Sequence, residues 1–372
     1  MAISLRPTFL EVNLTQLKRN LEAIRAHVSP TWVMPMVKAN AYGHGVEGVA
    51  PYIEPHVDYF GVALLEEGIQ LRQFGIKKPI LVAGGTLPSQ VPHFAVYNLT
   101  LTGSSIELLN AAEEVSQLTG KRIKTHLKID TGMERVGVHE YEARPFIEHS
   151  LRLRHIDIEG IYTHLANSEE PSLEHAHLQL ERFQEVLGIY TDLSEPHPPL
   201  RHMANSGAIL QFPESHLDMV RPGIMFYGVY PRGVEHTVEV APALTWRSRV
   251  AYSKRTQPGR PVSYGSLWQP EEESRIVTIP CGYGDGYFRR MTNRSQVIVN
   301  GRKYPQVGRI CMDQFMVNMG NDEARVGDEV ILLGKAKEEQ ILAEDFADWM
   351  GTNEYEVLTD ISARVPRMFV TE

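Results

Sequence analysis

Between residues 32 and 220, apolar runs of strand length alternate with amphipathic runs of helix length, and few folds accommodate that pattern. The strand-like runs are Trp32–Val37, Tyr59–Ala63, Pro79–Ala83, Leu99–Thr102, Ile123–Lys128, Ile156–Tyr162, Leu200–Met203 and Leu217–Val220. Amphipathic stretches fall between most of them, among them Leu64–Phe74, Ser104–Leu118, Tyr141–Ser150 and Leu173–Leu187. Residues 8–13 read as a short strand ahead of this series. Asn13 then suits the cap of a helix that carries Leu14, Leu17, Leu21, Ile24 and Val28 on one face. Eight alternating units predict an α/β fold, a (β/α)8 barrel with parallel strands inside and helices outside.

The texture changes after Tyr230. Pro231-Arg232-Gly233 and Ala241-Pro242-Ala243 interrupt the alternation, and short strands separated by turns follow: Leu244–Tyr252, Ile276–Ile279, Gln296–Val299, Phe315–Val317 and Glu329–Leu333. One helix, Leu342–Met350, is expected among them. The predicted organisation is a barrel over residues 1–238 and a mainly-β domain over 239–372. The charged stretches Glu271-Glu272-Glu273 and Lys335–Glu339 are expected in solvated loops.

A formal net charge of −9, with no compensating basic run, argues against nucleic acid or an anionic membrane as partner and favours a small ligand. The stretch Met1–Pro7 lacks the apolar core of a signal peptide, and no apolar run approaches the roughly 18 residues of a membrane helix, so a cytoplasmic protein is expected. Cys281 and Cys311 are the only cysteines, which suggests neither a disulfide framework nor a zinc site. His175 and His177, two apart on a predicted helix, do not face the same way. Solvated side chains and no metal are the expectation. The run Gly282–Gly286 lacks the spacing and the βαβ setting of a nucleotide loop.

In a barrel the chemistry collects at the carboxyl ends of the strands. Lys38 closes the first strand here, Lys128 the fifth, His164 follows the sixth, Asn205-Ser206 the seventh and Arg221-Pro222-Gly223 the eighth. An ammonium at the end of a buried strand is costly, and burial lowers its pKa towards the neutral amine, which can form a Schiff base with an aldehyde. Tyr42, four residues on, lies where the following loop can aim a hydroxyl back at the same place. The pattern also fits a lysine that snorkels to the surface at a strand end.

The motifs along nearly the whole chain resemble those of bacterial alanine racemases, in family order. They are Val37–Gly45, Lys128–Gly137, Thr163–Ala166, Ala204–Gly207, Arg221–Ile224, Val262–Gly265, Gly282–Tyr287, Gly308–Asp313 and Ala363–Arg367. The resemblance implies a pyridoxal 5′-phosphate (PLP) enzyme that interconverts L- and D-alanine, supplying D-alanine for peptidoglycan. It implies a homodimer with shared active sites. Lys38 would hold PLP covalently and serve as one base, with Tyr264 supplied across the interface as the other. Two bases on opposite faces let one site accept either enantiomer. Arg221 would face the pyridine nitrogen as a donor and leave it unprotonated. His164 and Asn205 would lie at the cofactor, and Tyr42, Ser206, Gly223, Ile224 and Tyr355 would take its phosphate. Arg135, whose planar fork suits a carboxylate, would clamp the substrate with the backbone N–H of Met312. Lys128 would carry a carbamate. Tyr283, Arg289, Arg309 and Asp313 would line the entry corridor.

Each residue also has a plainer reading: Tyr264 as a turn tyrosine packing on Trp268, Arg221 as the start of a turn, Gly223 as a turn glycine, and Lys128 as an unmodified lysine paired with Asp130. The competing functions are a broad-specificity or serine racemase on the same scaffold, an amino-acid decarboxylase of the same architecture, and a non-catalytic PLP-binding protein. Decarboxylases of that kind pair the pyridine with an acid, which fits Arg221 poorly. Non-catalytic PLP proteins are single barrels, which fits the β domain poorly.

Overall fold

The computed structural model describes residues 6–371. The stretch Met1–Leu5, part of the basis for expecting no signal peptide, lies outside the described residues. The chain divides into two compact units. One comprises Leu17–Ala41 and Val46–Ala241; the other comprises the chain up to Gln16, Tyr42–Gly45 and everything from Pro242 on.

All eight expected barrel strands form, mostly shortened at their ends: Trp32–Val33, Phe60–Val62, Ile80–Val82, Thr100–Gly103, Lys124–Asp130, Asp157–Tyr162, Leu200–His202 and Met219–Val220. The second to the seventh pair in parallel in chain order. The first pairs in parallel with the eighth, Trp32 opposite Met219 and Val33 opposite Val220. Backbone bonds join these two sets into a ring. Gly61 donates to Pro35 and Val37 to Gly61 at 3.1 and 2.8 Å, while Asp218 donates to Arg201 and Arg221 to Ala204 at 3.0 and 2.9 Å. Met34, Tyr59, Leu81, Tyr162, Leu200 and Met219 fill the interior as one buried cluster, so the ring is a packed core rather than a pore.

Helices between the strands follow the apolar periodicity. Leu14–Val28 starts where expected, with the Asn13 side chain accepting the Gln16 N–H at 2.8 Å. Leu65–Gln73, Ile106–Thr119 and Ala143–Arg152 lie within a few residues of their predicted spans. Glu174–Asp192 runs five residues beyond the expected Leu187, because the buried Tyr190 continues its inner face. Among the described residues, no helix is long and apolar enough to cross a membrane.

The other unit is a mixed sheet, and here the sequence reading needs correction. The amino-terminal strand Phe9–Asn13, grouped with the barrel on sequence, belongs to this sheet, pairing antiparallel with Leu244–Arg249 and parallel with Arg367–Val370. The expected strand Leu244–Tyr252 breaks into Leu244–Arg249 and Tyr252–Thr256. Arg302–Val307, Glu339–Ile341 and Arg367–Val370 are strands, and Glu354–Thr359 is a second helix beside Ala343–Met350, none of them expected. Their polar residues hide the period-two signal, and cross-strand partners supply the order instead. The stretch Lys335–Glu339 is therefore the tip of a hairpin between Glu329–Ala336 and Glu339–Ile341 rather than a free loop.

Candidate active site

Beyond Lys38 the backbone turns with the opposite hand to an ordinary helix. Ala39, Asn40, Ala41 and Tyr42 have φ of 51, 55, 53 and 50°, with ψ near the same values for the first three. Each non-glycine residue held in this left-handed region costs on the order of 1–2 kcal/mol. Such strain persists only where the surroundings over-determine it, and it marks functional sites. Here Ala39 donates its N–H to the Glu67 carboxylate at 2.6 Å, Ala41 donates to Val37 O at 2.9 Å, and Asn40 accepts from Val46 N at 2.8 Å. The sequence predicts a tight glycine-assisted loop at this place and misses the left-handed turn. Burial, and then the charge of Arg135, hold the Lys38 ammonium below the ordinary lysine pKa, with Glu67 partly opposing them. That favours a nucleophilic amine.

At the end of the neighbouring eighth strand, Arg221 is buried and tied down. One terminal nitrogen donates to Nδ1 of His202 at 2.8 Å. The other reaches Thr163 O at 2.8 Å, Met203 O at 3.1 Å and Nδ1 of His164 at 3.1 Å. Both terminal nitrogens are thus engaged by protein acceptors, and no bond from Nε to a described residue is seen. A guanidinium cannot accept, so both histidines present bare nitrogens to it. Burial, followed by the Arg221 charge, keeps His164 and His202 well below the usual histidine pKa and hence neutral. Burial lowers Arg221 itself to about 10, still charged at neutral pH.

Behind Arg221, His202 passes the same polarity on. Its Nε2 lies 2.9 Å from Nδ1 of His126, and His126 turns its Nε2 towards Glu159 at 3.6 Å. Tyr162 stacks flat on the His202 ring, 4.6 Å between centroids. Room for His126 depends on Gly160, where an added Cβ would come within 2.7 Å of the imidazole.

At the end of the fifth strand, Lys128 and Asp130 do not pair as the plainer reading expects. The Asp130 carboxylate is committed to the N–H groups of Gly132, Met133, Glu134 and Arg135 at 2.8–3.1 Å. These bonds outweigh burial and hold its pKa at about 2. The loop they fold carries Arg135 at an exposed position. Lys128 donates instead to Ile129 O at 2.7 Å, with its ammonium 5.5 Å from the Tyr162 ring centroid. Burial, opposed by Asp130 and reinforced by Arg221 and Arg135, brings Lys128 down to about 7.

Asn205, Ser206, Gly223 and Ile224 meet where the seventh and eighth strands end. Asn205 caps the helix Ser206–Gln211 through Ala208 N at 3.2 Å and accepts from Ser168 Oγ at 2.6 Å. Ser206 Oγ accepts the N–H of Gly223 at 2.9 Å and that of Met225 at 3.4 Å. Ile224 opens the turn Ile224–Tyr227.

The remaining candidates lie in the β unit. The rings of Tyr42 and Tyr355 sit 6.2 Å apart. Tyr264 is 70% exposed and Met312 51% exposed. Trp268 rests against the cluster of Val262, Ile276 and Val307. Ser263, the residue before Tyr264, holds a backbone region almost confined to glycine, φ 69° and ψ −176°. Its Oγ donates to Arg309 O at 2.6 Å. Tyr283 N donates to Cys311 O at 3.1 Å and Gly284 N to Met312 O at 2.9 Å, while Asp313 pairs with Arg364 at 2.7 Å. Tyr264, Arg309, Met312, Asp313 and Tyr283 therefore share neighbouring loops, and Arg289 opens a separate turn, Arg289–Met291.

His175, expected in solvent, is half-buried with Nε2 3.2 Å from Gly132 O. The residues that sequence reasoning missed are Glu67, His126, Tyr162, His202 and Ser263. One of them left a signal: His126 lies two residues before Lys128 in a strand, so both share a face.

These residues fit PLP: an amine of lowered pKa for its aldehyde, a donor-only cation with an uncommitted N–H for its pyridine nitrogen, and backbone turns after the seventh and eighth strands where barrels hold phosphate. Comparison with known proteins points the same way. Residues 12–231 match the family model for the alanine racemase N-terminal domain, and residues 243–369 match that for the C-terminal domain. An alanine racemase of Carboxydothermus hydrogenoformans is 45% identical over 370 residues, 98% of this chain and all of that one. The solved alanine racemase of Clostridium difficile 630 superposes with a TM-score of 0.92 at 36% identity, covering 98% of this chain and 96% of that one. The alanine racemase of Bartonella henselae, solved with covalently bound pyridoxal phosphate, gives a TM-score of 0.88 at 28% identity, covering 98% and 99%.

Proposed function

The chain belongs to the alanine racemase family, a family of PLP-dependent racemases, and from that premise we propose that it interconverts L-alanine and D-alanine by a two-base mechanism. The observation that carries this reading is the pairing of Lys38, an amine of lowered pKa in a strained turn, with Arg221, a buried cation whose terminal nitrogens are anchored to neutral histidines.

Lys38 would hold PLP covalently, and Arg221 would donate from Nε to the pyridine nitrogen. Ser206, Gly223, Ile224, Tyr42 and Tyr355 would take the phosphate, with His164 and Asn205 beside them. PLP, when bound to the substrate amine, draws electron density from Cα and makes its proton removable. Because Arg221 can only donate, it would leave the pyridine nitrogen unprotonated and so disfavour side reactions such as transamination. Lys38 takes or returns the Cα proton on one face, and Tyr264 of the partner subunit does so on the other. Arg135 grips the substrate carboxylate with the backbone N–H of Met312 of the partner subunit. A carbamate on Lys128 would place an anion where it orients Arg135, and a neutral amine is the form that reacts with carbon dioxide. Tyr283, Arg289, Arg309 and Asp313 would line the way in.

The exposure of Tyr264 and Met312 supports a homodimer in which each β domain completes the partner's site. We read the protein as cytoplasmic, with D-alanine for peptidoglycan as its product. A broad-specificity or serine racemase is the competing substrate assignment. The deciding experiment is an absorbance spectrum of the PLP-loaded protein followed by a D-amino-acid-oxidase-coupled assay on L-alanine, L-serine and L-lysine. A visible cofactor band with kcat/KM highest for L-alanine is expected. A higher value for serine or lysine would reassign the substrate, and no turnover of any of the three would end the racemase reading.

A further inference from the structure

The strained turn after Lys38 needs something to hold it, and one carboxylate does so from a different element. Glu67 lies in the first turn of the helix Leu65–Gln73, after the second strand. Its Oε1 accepts the N–H of Ala39 at 2.6 Å. Its Oε2 accepts the N–H of Ala63 at 2.8 Å and that of Leu64 at 3.0 Å. The two oxygens thus serve two places: one closes the amino end of a helix, and the other ties that helix to the residue next to Lys38.

Three features make this bridge more than a helix cap. Leu64 occupies the cap position with extended backbone and a side chain that cannot accept a hydrogen bond, so the helix leans on Glu67. Ala39 is the first of four left-handed non-glycine residues, and its N–H is held at a charge-assisted distance. Glu67 is also the anion whose charge Lys38 feels, set against Arg135.

We propose that Glu67 is a positioning residue for Lys38: its carboxylate straps the left-handed turn to the second βα loop and so fixes where the Lys38 side chain leaves the backbone. The proposal rests on the reading of Lys38 as the cofactor-bearing base. In Glu67→Gln one oxygen remains, and an amide nitrogen cannot accept, so the side chain holds either the helix end or Ala39. In Glu67→Ala neither is held.

The test compares PLP-loaded wild type, Glu67→Gln, Glu67→Ala, Leu64→Asp, Glu67→Ala/Leu64→Asp and Lys38→Ala. Kinetics with both alanine enantiomers are measured alongside thermal midpoints. A misaimed catalytic amine costs about 100-fold where the geometry shifts by an ångström. Glu67→Ala is therefore expected to keep the visible cofactor band, lose about 100-fold in kcat, and leave KM for alanine little changed. Glu67→Gln is expected to fall between. Leu64→Asp supplies a new cap and is expected to leave activity unchanged. In the double variant it restores the thermal midpoint without restoring kcat.

Recovery of kcat together with the midpoint in the double variant would reduce Glu67 to a helix cap and overturn the proposal. So would unchanged kcat in Glu67→Ala. If Lys38→Ala retained the band and the activity, the reading of Lys38 would fall and this proposal with it. If Lys38→Ala is inert while Glu67→Ala is fully active, the positioning role alone falls.

Discussion

Arg221 donates to Nδ1 of His202 across 2.8 Å, and because a guanidinium has nothing with which to accept, that one bond sets the proton positions behind it. His202 must carry its hydrogen on Nε2, which faces Nδ1 of His126 at 2.9 Å, and His126 must then carry its own on the nitrogen facing Glu159. The barrel core therefore contains a one-way run of donors from Arg221 through His202 to His126. The His126 Nε2 faces Glu159 from 3.6 Å without a hydrogen bond, while Tyr59 and Lys124 bond that carboxylate directly. Charge is kept off the imidazoles by burial and by the neighbouring Arg221.

Replacing His202 by Phe preserves the stacked ring over Tyr162 but removes the acceptor for Arg221. A buried charged donor is then left unpaired, at a cost of about 1–3 kcal/mol of folding stability. Urea unfolding of the purified variant measures this. A midpoint equal to wild type would show that Arg221 does not depend on His202.

If Lys38 and the partner's Tyr264 form one site, two inactive variants can repair each other. Mixing Lys38→Ala with Tyr264→Phe under conditions that exchange subunits should produce hybrid dimers with one intact site each. With equal amounts and random exchange, activity should rise to about a quarter of wild type. A mixture as inactive as its parents would contradict a shared site.

Lys128 gives a pH signature. Its folded pKa of about 7 lies below the ordinary 10.5, so between those values the unfolded chain binds a proton that the folded chain lacks. Stability should therefore climb with pH through that window and level off below about 7. In Lys128→Met the climb should be shallower, as urea titrations in carbon-dioxide-free buffer at several pH values will read. Carbamate formation in the folded state alone would add stability when bicarbonate is supplied, and ¹³C-bicarbonate should yield a carbamate resonance absent from Lys128→Met. An identical pH slope in the two proteins, with no such resonance, would remove Lys128 from this role.

Periodicity alone determined the barrel. The eight apolar runs between Trp32 and Val220 became its eight strands because apolar patterning and turn chemistry are local properties, written within a dozen residues. The same local logic put His164, Asn205-Ser206 and Arg221 within four residues after their strands, whereas Lys38 falls five residues beyond the first strand and Lys128 inside the fifth. Tertiary structure decided what lies between distant segments. Phe9–Asn13 joined the β unit because its hydrogen-bonding partners are strands beginning at Leu244 and Arg367, and no local pattern names a partner that far along the chain. Asp130 was spent on its own loop rather than on Lys128, since four backbone donors converge on it once the chain turns there. The left-handed turn behind Lys38 could not be read from Ala-Asn-Ala-Tyr, residues that ordinarily avoid it. It exists because Glu67, brought alongside by the fold, holds Ala39 there.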